Sequence, residues 1–358
     1  MSNDDKKRSY QNWRGSGDKV PPVPDATKKN RKRAGQDLQP VGDYAGIDPY
    51  YRISDDVGEV QNQDKIDPEA FQSGNWWWNH RQIRFLSGKA FLGLSAVLLF
   101  VPYAWGGLIL IGGAWWFYYW LYQWVVEAND IVFMLVMLVG VVVWLPLSIL
   151  ILIKTMPVVM GSVALLLRPF DKFLGKLLDR SHKAGESYFS RETGQVSFAL
   201  PGGKKLTAPF EEYDAYVERV VEAGGIFYRL MFVHRYTAKQ FSQTSLGRVE
   251  PSKEEVMALW DMLQRYMDTS QPLPDVPRLE PFRHLDPVTA EHDRRTGRNP
   301  RFWRDLDLEA WKQGEGKEWL KRQMEYPWDK RQCRLTPQLG KISMAEYRKL
   351  RPADAWPI

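Results

Sequence analysis

The apolar positions of this chain are concentrated in one central region, and the regions on either side are densely charged. No Asp, Glu, Lys or Arg occurs from Ala90 to Val126, and the stretch from Ile131 to Ile153 is charge-free again. An α-helix rises about 1.5 Å per residue, so roughly 20 apolar residues are enough to cross the hydrocarbon core of a bilayer. The pattern therefore predicts a transmembrane helical hairpin over residues 90–153, between two soluble regions.

The first span has two registers that fit the pattern. In one, Phe91–Gly113 crosses the bilayer, and the aromatic run that begins at Ala114 forms a belt at the far membrane surface. In the other, Leu108–Val126 crosses, and the residues before it form a partly embedded approach. The interfacial aromatic residues of this run are predicted to be Trp115, Trp116, Tyr118, Tyr119, Trp120 and Trp124. Glu127 and Asp130 close the turn between the two spans.

The residues after the second span change character. In residues 154–183, Leu and Phe recur at helical spacing with Lys and Arg between them. This pattern is typical of a basic amphipathic helix that leaves the membrane and lies in its interface. Lys154, Arg168 and Lys172 are therefore predicted to be interfacial.

Residues 41–89, before the first span, are predicted to form a cytoplasmic juxtamembrane segment. Its assigned membrane-interface residues are Trp76, Trp77, Trp78, Arg81 and Arg84, because tryptophan favours the headgroup region. Cations flank both outer ends of the hairpin, whereas the connection between the spans carries only acids. The positive-inside rule then predicts that both termini lie in the cytoplasm.

Residues 1–40 are polar and lack apolar periodicity. They contain a basic run made of Lys28, Lys29, Arg31, Lys32 and Arg33. Such a segment buries too little surface to offset its ordering entropy, which favours a disordered tail. Its charges are either solvated or in contact with anionic lipid. The N-terminus lacks the pattern of a signal peptide, so the first span is expected to act as the insertion signal.

Residues 184–270 are predicted to form an α+β domain. The sequence ESYFSRETGQVSFAL, from Glu186, reads as strand, turn, strand, and IFYRLMFVHRY is a further strand. Between them, residues 210–220 have apolar positions at helical spacing. Ser252 and Glu255 fit a capping box at the start of a second helix. Several strands followed by one helix suggest a pleckstrin-homology-like barrel or another split sheet.

Residues 271–358 combine prolines, charges and scattered tryptophans. The tryptophans are Trp303, Trp311, Trp319, Trp328 and Trp356. Short helical stretches separated by Gly and Pro provide no core of their own. The segment is therefore predicted to wrap over the strand-rich domain, with its tryptophans as anchors.

No motif for catalysis, a cofactor or a metal ion stands out. His284, Asp286, His292 and Asp293 lie close together in sequence, but a proline interrupts the segment and no third metal ligand is fixed. They are interpreted as polar loop residues, and no catalytic, cofactor-binding or metal-binding residue is assigned. Cys333 is the only cysteine, which excludes a disulfide within the chain. The net charge is +6. The clusters of Lys and Arg lie in a tail and beside the apolar region and do not form a basic face with interleaved aromatic residues, so nucleic acid is not an expected partner.

The chain combines two close spans with two stretches of sequence, YFSRETGQVSF and PFRHLDPVTAEHDRRTGRNPRFW. In these features it resembles a bacterial inner-membrane family of uncharacterised function. Members of that family tend to be encoded with type VI secretion and polymorphic-toxin systems. The resemblance covers about residues 75–330 and carries no catalytic residues. It implies an immunity or accessory role at the bacterial inner membrane.

The expected function is therefore binding at a membrane. The expected partners are the lipid bilayer and a protein, either a toxin or a secretion component, and association with a second copy of the chain stays open. A membrane-anchored scaffold or sensor that binds anionic lipid or protein is the first alternative. A membrane-tethered enzyme that uses the His284–Asp293 region is the second.

Overall fold

The structure, a computed structural model, describes residues 20–26, 35–38, 42–71, 76–86, 92–127, 129–168, 185–242, 246 and 249–358. It divides into two compact units. Residues 1–88 together with 184–358 form one, which we name the sheet unit, and residues 89–183 form the other, which we name the hairpin unit. The hairpin unit is therefore inserted within the sequence of the sheet unit.

Two helical stretches of the hairpin unit are long and apolar enough to cross a membrane, Phe100–Val125 and Asp130–Val163. The first belongs to a run made of α2 (Leu92–Gly107), a π-helical turn (Leu108–Gly113) and α3 (Ala114–Val125). Backbone dihedrals stay right-handed helical at both junctions. The run passes unbroken through both predicted registers, so the aromatic segment extends the first helix.

The second helix of the hairpin unit, α4 (Asp130–Leu167), is longer than the sequence pattern indicated. Asn129 caps its start, since Asn129 Oδ1 accepts a hydrogen bond from the backbone N–H of Ile131 at 2.9 Å. The helix continues through Lys154, so the predicted second span and the first part of the predicted exit helix belong to one continuous helix. Residues 169–184, including Lys172, lie outside the described residues.

The two long helices of the hairpin unit meet through glycines and aromatic rings. A Cβ atom at Gly113 would lie 2.7 Å from the ring of Trp144, and one at Gly140 would lie 3.0 Å from Leu121. The Trp144 ring stacks on Phe117 with centroids 5.2 Å apart. Small residues permit this close approach, and packing of this kind drives helix association in lipid.

The sheet unit contains two antiparallel four-stranded sheets. In one the order is β2 (Gln82–Leu86), β3 (Glu186–Ser190), β4 (Gln195–Ala199), β5 (Lys205–Pro209), and in the other it is β1 (Gly35–Leu38), β6 (Tyr213–Glu222), β7 (Gly225–His234), β8 (Gln240–Ser242). The predicted strand–turn–strand is present as β3 and β4, and Gly194 adopts a φ of 68° in the turn. The α+β class is therefore as predicted.

Residues 210–220, predicted to be helical, form a short 3-10 turn and most of β6 instead. Strand β6 pairs with β7 from Tyr213–His234 to Glu222–Gly225. Tyr213 is buried, and so are the consecutive residues Ala215, Tyr216 and Val217, so this part of β6 is covered on both faces. Aromatic and β-branched residues fit a strand of this kind, and the long-range pairing with β7 outweighs the helix-like local spacing.

One helix, α5 (Lys253–Met267), closes the core beside the two sheets. Its Trp260 packs against Phe210 and Phe232, with ring centroids 5.6 and 5.8 Å away. Phe189 and Phe198 add edge-to-face contacts in the same cluster. Most of α5 is buried on every side, which means that its polar residues must find partners inside the protein.

The N-terminal segments are integral parts of the sheet unit. Val20 and Val23 are buried in a small cluster with Leu335 and Tyr347, and β1 pairs with β6. The prediction of a disordered tail is therefore wrong for residues 20–26 and 35–38. The basic run from Lys28 to Arg33 lies outside the described residues.

Residues 42–71 and 76–86 also belong to this core rather than to a separate juxtamembrane segment. Helix α1 (Tyr50–Ile66) buries Ile53, Val57 and Val60. Trp78 is 1% exposed and belongs to the main hydrophobic cluster.

The C-terminal residues wrap around the same core. After a 3-10 segment (Pro277–Leu285) come α6 (Pro287–Thr296), α7 (Leu308–Gln313), α8 (Glu315–Glu325) and α9 (Met344–Leu350). Five tryptophans pack on the main cluster: Trp303 and Trp311 are buried, and Trp319, Trp328 and Trp356 are partly buried. These rings anchor a segment that has little core of its own.

Candidate functional site

The residues predicted to lie at a membrane interface before the first span have different environments. Trp78 lies in the core, with the guanidinium of Arg52 4.8 Å from its ring, so its assignment to a membrane interface is wrong. Trp76 is half-buried, and its Nε1 donates to the carbonyl of Arg278 at 3.1 Å. Trp77 is 37% exposed and lies 5.6 Å from the Arg84 guanidinium.

Arg81 and Arg84 belong to one strand region of the sheet unit. Arg81 is exposed just before β2, and its carbonyl accepts from the backbone N–H of Arg191 at 2.9 Å. Arg84 lies within β2 and forms an ion pair with Glu186 on β3 at 3.7 Å. Contact of these two arginines with lipid stays a prediction.

The predicted interfacial side chains of the hairpin unit are mostly exposed. Trp115, Trp116, Tyr119, Trp120 and Trp124 are between 49% and 75% exposed, Tyr118 is half-buried, and Lys154 and Arg168 are exposed. An exposed aromatic surface of this kind is compatible with a lipid environment, where the rings face the headgroup region.

The His284–Asp293 region is a structural junction. Asp286 caps α6 by accepting from the backbone N–H of Thr289 at 3.0 Å. Asp293 receives two hydrogen bonds from Arg283, at 2.6 and 2.8 Å, and His292 Nδ1 lies 3.3 Å from the same carboxylate. His284 is exposed. Within the described residues, no group of three His, Cys, Asp or Glu side chains is arranged to hold a metal ion.

A cavity of about 240 Å³ opens next to this junction. Its cationic lining consists of Arg283, Arg298 and Arg304. Arg298 makes two 2.6 Å hydrogen bonds to Asp275, and Arg304 binds Glu280 at 3.1 Å. Although burial of Asp275 opposes it, the hydrogen bonds from Arg298 lower the pKa of that carboxyl. Since the cations are matched by internal carboxylates, the cavity offers little net charge to an anionic ligand.

Arg191 is the most connected side chain of the sheet unit and was not predicted from the sequence. Its Nη1 donates to the carbonyls of Tyr266 and Asp268 at the C-terminal end of α5, and its Nη2 donates to Gln271 at 2.8 Å. Its Nε faces Asp286 at 3.3 Å. A cation at a helix C-terminus satisfies carbonyls that have no partner within the helix. Arg191 therefore joins the β3–β4 turn, α5 and the cap of α6.

Buried acids on α5 hold the N-terminal strip in place. Asp261 accepts from the backbone N–H groups of Ala45 and Gly46 at 2.9 and 3.1 Å and forms an ion pair with Arg331 at 2.8 Å. Asp261 is fully buried, so these partners compensate its desolvation.

Glu255 departs from its predicted role. Ser252 caps the helix, accepting from the Glu255 backbone N–H at 3.2 Å. The Glu255 carboxylate, however, accepts from the backbone of Arg52 at 3.1 Å and from Gln323 Nε2 at 2.8 Å. Burial raises the pKa of Glu255 to about 7. The Glu255 carboxylate therefore does not complete a capping box with Ser252. It links α1, α5 and α8 instead.

An acid–histidine–hydroxyl arrangement occurs at the end of β7. His234 Nε2 lies 2.8 Å from Glu212 Oε2, and His234 Nδ1 lies 2.8 Å from Thr237 Oγ1. Because Nδ1 also accepts the backbone N–H of Thr237 at 3.3 Å, the ring proton resides on Nε2 and is donated to Glu212. Arg351 also binds Glu212, at 2.9 Å. Together these contacts secure the turn after β7 and attach the residue that follows α9.

The tip of the β6–β7 hairpin exposes apolar side chains. Val221 and Ile226 are directly paired across the hairpin and are 74% and 45% exposed. Strand β1 pairs with β6 only up to Glu218, and the bridge partner of Tyr228 is Glu250. In the described part of the chain, the hairpin beyond these pairs has no neighbouring strand.

Comparison with known proteins supplies no relative for this chain. No family model matches it, and no curated protein or solved structure matches it either.

Proposed function

We propose that this protein is a membrane-anchored binding protein of the bacterial inner membrane, with both termini in the cytoplasm. We propose further that it acts as an immunity or accessory protein for a secreted toxin of the type VI class. The observation that carries the binding function is the exposed tip of the β6–β7 hairpin. A solvent-exposed apolar pair that projects beyond its sheet is suited to a protein partner.

The roles of three acids of the sheet unit support binding over catalysis. Asp286, Asp293 and Glu212 each hold two parts of the fold together through paired hydrogen bonds. A catalytic acid or base must instead reach a substrate atom within hydrogen-bond distance. The polar network keeps the sheet unit rigid, and a rigid scaffold reduces the entropy cost of binding a partner.

A pleckstrin-homology-like arrangement is the finer fold that we propose for the sheet unit. A four-stranded meander (β2 to β5) is followed by a three-stranded meander (β6 to β8) and one closing helix, α5. Strand β1 is then an addition at the edge of the second sheet. In this arrangement the hairpin unit occupies the connection between the first two strands of the barrel.

Two charged substitutions at the tip test the binding function. Cells that produce the toxin are expected to lose protection when the protein carries Val221→Glu and Ile226→Glu, and the toxin is expected to stop co-purifying with it. The matched control is Ile66→Glu, since Ile66 is 71% exposed at the end of α1, and it should retain both. If deletion of the whole protein never sensitises cells and no complex with the toxin forms, the immunity function is wrong.

The membrane topology is tested with a single cysteine. In a Cys333→Ser background, Glu127→Cys places a thiol in the turn before α4. A membrane-impermeant maleimide should label it in intact spheroplasts. Labelling only after the cells are opened would contradict the proposed cytoplasmic termini.

A further inference from the structure

The β4–β5 turn carries Lys204 and leads into Lys205 at one end of the first sheet, and its position follows from strand register. Leu86 pairs with Glu186 across β2 and β3, and Ala199 pairs with Lys205 across β4 and β5. Extending the Tyr188–Ser197 register by two residues sets Glu186 opposite Ala199. These four residues therefore form one row at a single end of the sheet.

The same end of the sheet is where the chain continues into the hairpin unit. Leu86 ends β2 and Glu186 begins β3, so both connections to the apolar helices start from this row. Only five residues, 87–91, lie between Leu86 and the first residue of α2. The end of the sheet that carries this row is therefore the end that the chain joins to the hairpin unit.

The charges in this row do not cancel. Glu186 is neutralised by Arg84 at 3.7 Å. Lys204 is exposed in the turn, and the ammonium of Lys205 lies 5.7 Å from the Tyr188 ring centroid. Neither lysine has a carboxylate partner among the described residues. Lys205 in the row and Lys204 in the adjoining turn therefore present two cations that no described carboxylate compensates, and Gly203 (φ 73°) holds the turn that carries Lys204.

We propose that the β4–β5 turn binds the anionic phospholipid headgroups of the membrane that holds the hairpin unit, through Lys204 and Lys205. Lysine is suited to this contact because its ammonium is a flexible point charge that can meet phosphate in many geometries. Each lysine near an anionic surface favours the bound state by about fivefold. The contact is weak for a free protein but sufficient for a tethered one. This inference requires a membrane-inserted hairpin, and it is independent of the toxin-related function.

Amide hydrogen exchange of the full chain in lipid nanodiscs tests the proposal. Exchange of residues 200–205 is expected to be up to about 25-fold slower in nanodiscs that contain phosphatidylglycerol than in pure phosphatidylcholine, as two lysines acting together would give. High salt should remove the difference, because it screens the attraction. Equal exchange in the two kinds of nanodisc would overturn the proposal.

Charge reversal identifies the responsible residues. Lys204→Glu with Lys205→Glu should abolish the lipid dependence, while exchange in β3 and β4 stays unchanged and shows that the sheet is intact. The control pair, Lys317→Glu with Lys321→Glu, lies on the exposed side of α8 and should keep it. A lipid dependence that survives reversal of Lys204 and Lys205 would assign the contact to other residues and contradict the proposal. Protection against toxin is a separate measurement. The proposed headgroup contact can therefore be wrong while the immunity function is right, and the reverse also holds.

Discussion

The hairpin unit and the sheet unit use tryptophan in opposite ways. Trp115 and Trp124 are 74% and 75% exposed, whereas Trp260 and Trp303 are each 1% exposed. This difference is the one expected of a hairpin unit in lipid and a sheet unit in water. A helix in lipid gains little by hiding an aromatic ring, whereas a domain in water is stabilised when it buries one.

The two units also differ in how they satisfy polar groups. In the hairpin unit the hydrogen bond from Trp105 Nε1 to Thr155 Oγ1, at 2.9 Å, links two helices. In the sheet unit, side chains such as Arg191 and Asp261 each bind several distant segments. We therefore expect the sheet unit to depend on individual buried polar residues and the hairpin unit to depend on packing.

Removal of Arg191 should produce the largest difference in stability between the sheet unit and the hairpin unit. Arg191→Met removes the cation that pairs with Asp286 and the donor to the last carbonyls of α5, so the sheet unit should lose about 3–5 kcal/mol of stability. The hairpin unit should still insert into the membrane. Urea unfolding followed by near-ultraviolet circular dichroism measures the first effect, and carbonate extraction measures the second. Arg294→Met, at a pair that is 75% and 62% exposed, is the control and should leave the stability almost unchanged, because solvent screens an exposed ion pair.

Truncation of neighbouring tryptophans should separate core from surface. Trp78→Ala removes a fully buried ring and should cost about 3 kcal/mol or more. Trp77→Ala removes a ring that is 37% exposed and should cost about 1 kcal/mol or less. Thermal unfolding of the two variants in the same detergent provides the measurement. Equal losses would mean that position 78 is not the core position of this segment.

The pH dependence of the sheet unit should reveal Glu255. Its folded pKa of about 7 exceeds the ordinary value of 4.5, so the folded state binds more protons than the unfolded state between these values. Stability from this group is present below about pH 4.5 and is lost as the pH rises through 7, by up to about 3 kcal/mol. Glu255→Gln should flatten that decline in urea titrations, whereas Glu254→Gln on the same turn should leave it. An unchanged slope in Glu255→Gln would contradict this assignment.

Glycine substitution should have the smallest effect and should be confined to the hairpin unit. Gly113→Ala places a methyl group against the Trp144 ring and should cost about 1–3 kcal/mol of helix packing. Gly106→Ala is the control, because a Cβ there meets nothing within 4 Å. Cysteine crosslinking between α3 and α4 in the membrane would report the separation of the helices. Loss of packing in both variants would argue against the specific contact with Trp144.

Local sequence patterns were reliable where a residue's neighbours in sequence decided its structure. The β3–β4 hairpin follows from alternating apolar positions and a glycine turn, and the start of α5 follows from the Ser252 cap. The helix predicted over residues 210–220 was wrong, because pairing with β7 is a long-range contact that local spacing cannot report. The Trp78 assignment failed for a similar reason: a tryptophan before an apolar run fits a membrane interface and a folded core equally well.

The candidate site was less predictable than the fold. Arg191 lies in an ordinary turn, RETG. It binds several segments only because the C-terminal end of α5 packs next to this turn in the folded chain. The pairing of Glu212 with His234 joins the residue before β6 to the last residue of β7, 22 positions apart in the sequence. An arginine in a turn that contains glycine is common in sequences, so this pattern does not identify the distant segments that Arg191 binds.

The sequence alone determined the two long apolar helices, because a run of uncharged residues of sufficient length is a property of composition. It also determined most strands and the cap of α5, which depend on neighbouring residues. The tertiary structure decided that residues 20–86 fold together with residues 185–358, that Trp78 is a core residue, and that the acids of α5 hold distant segments. These outcomes depend on which surfaces meet after the chain folds back on itself. The free energy that stabilises these arrangements comes from burying apolar surface between residues that are far apart in the chain.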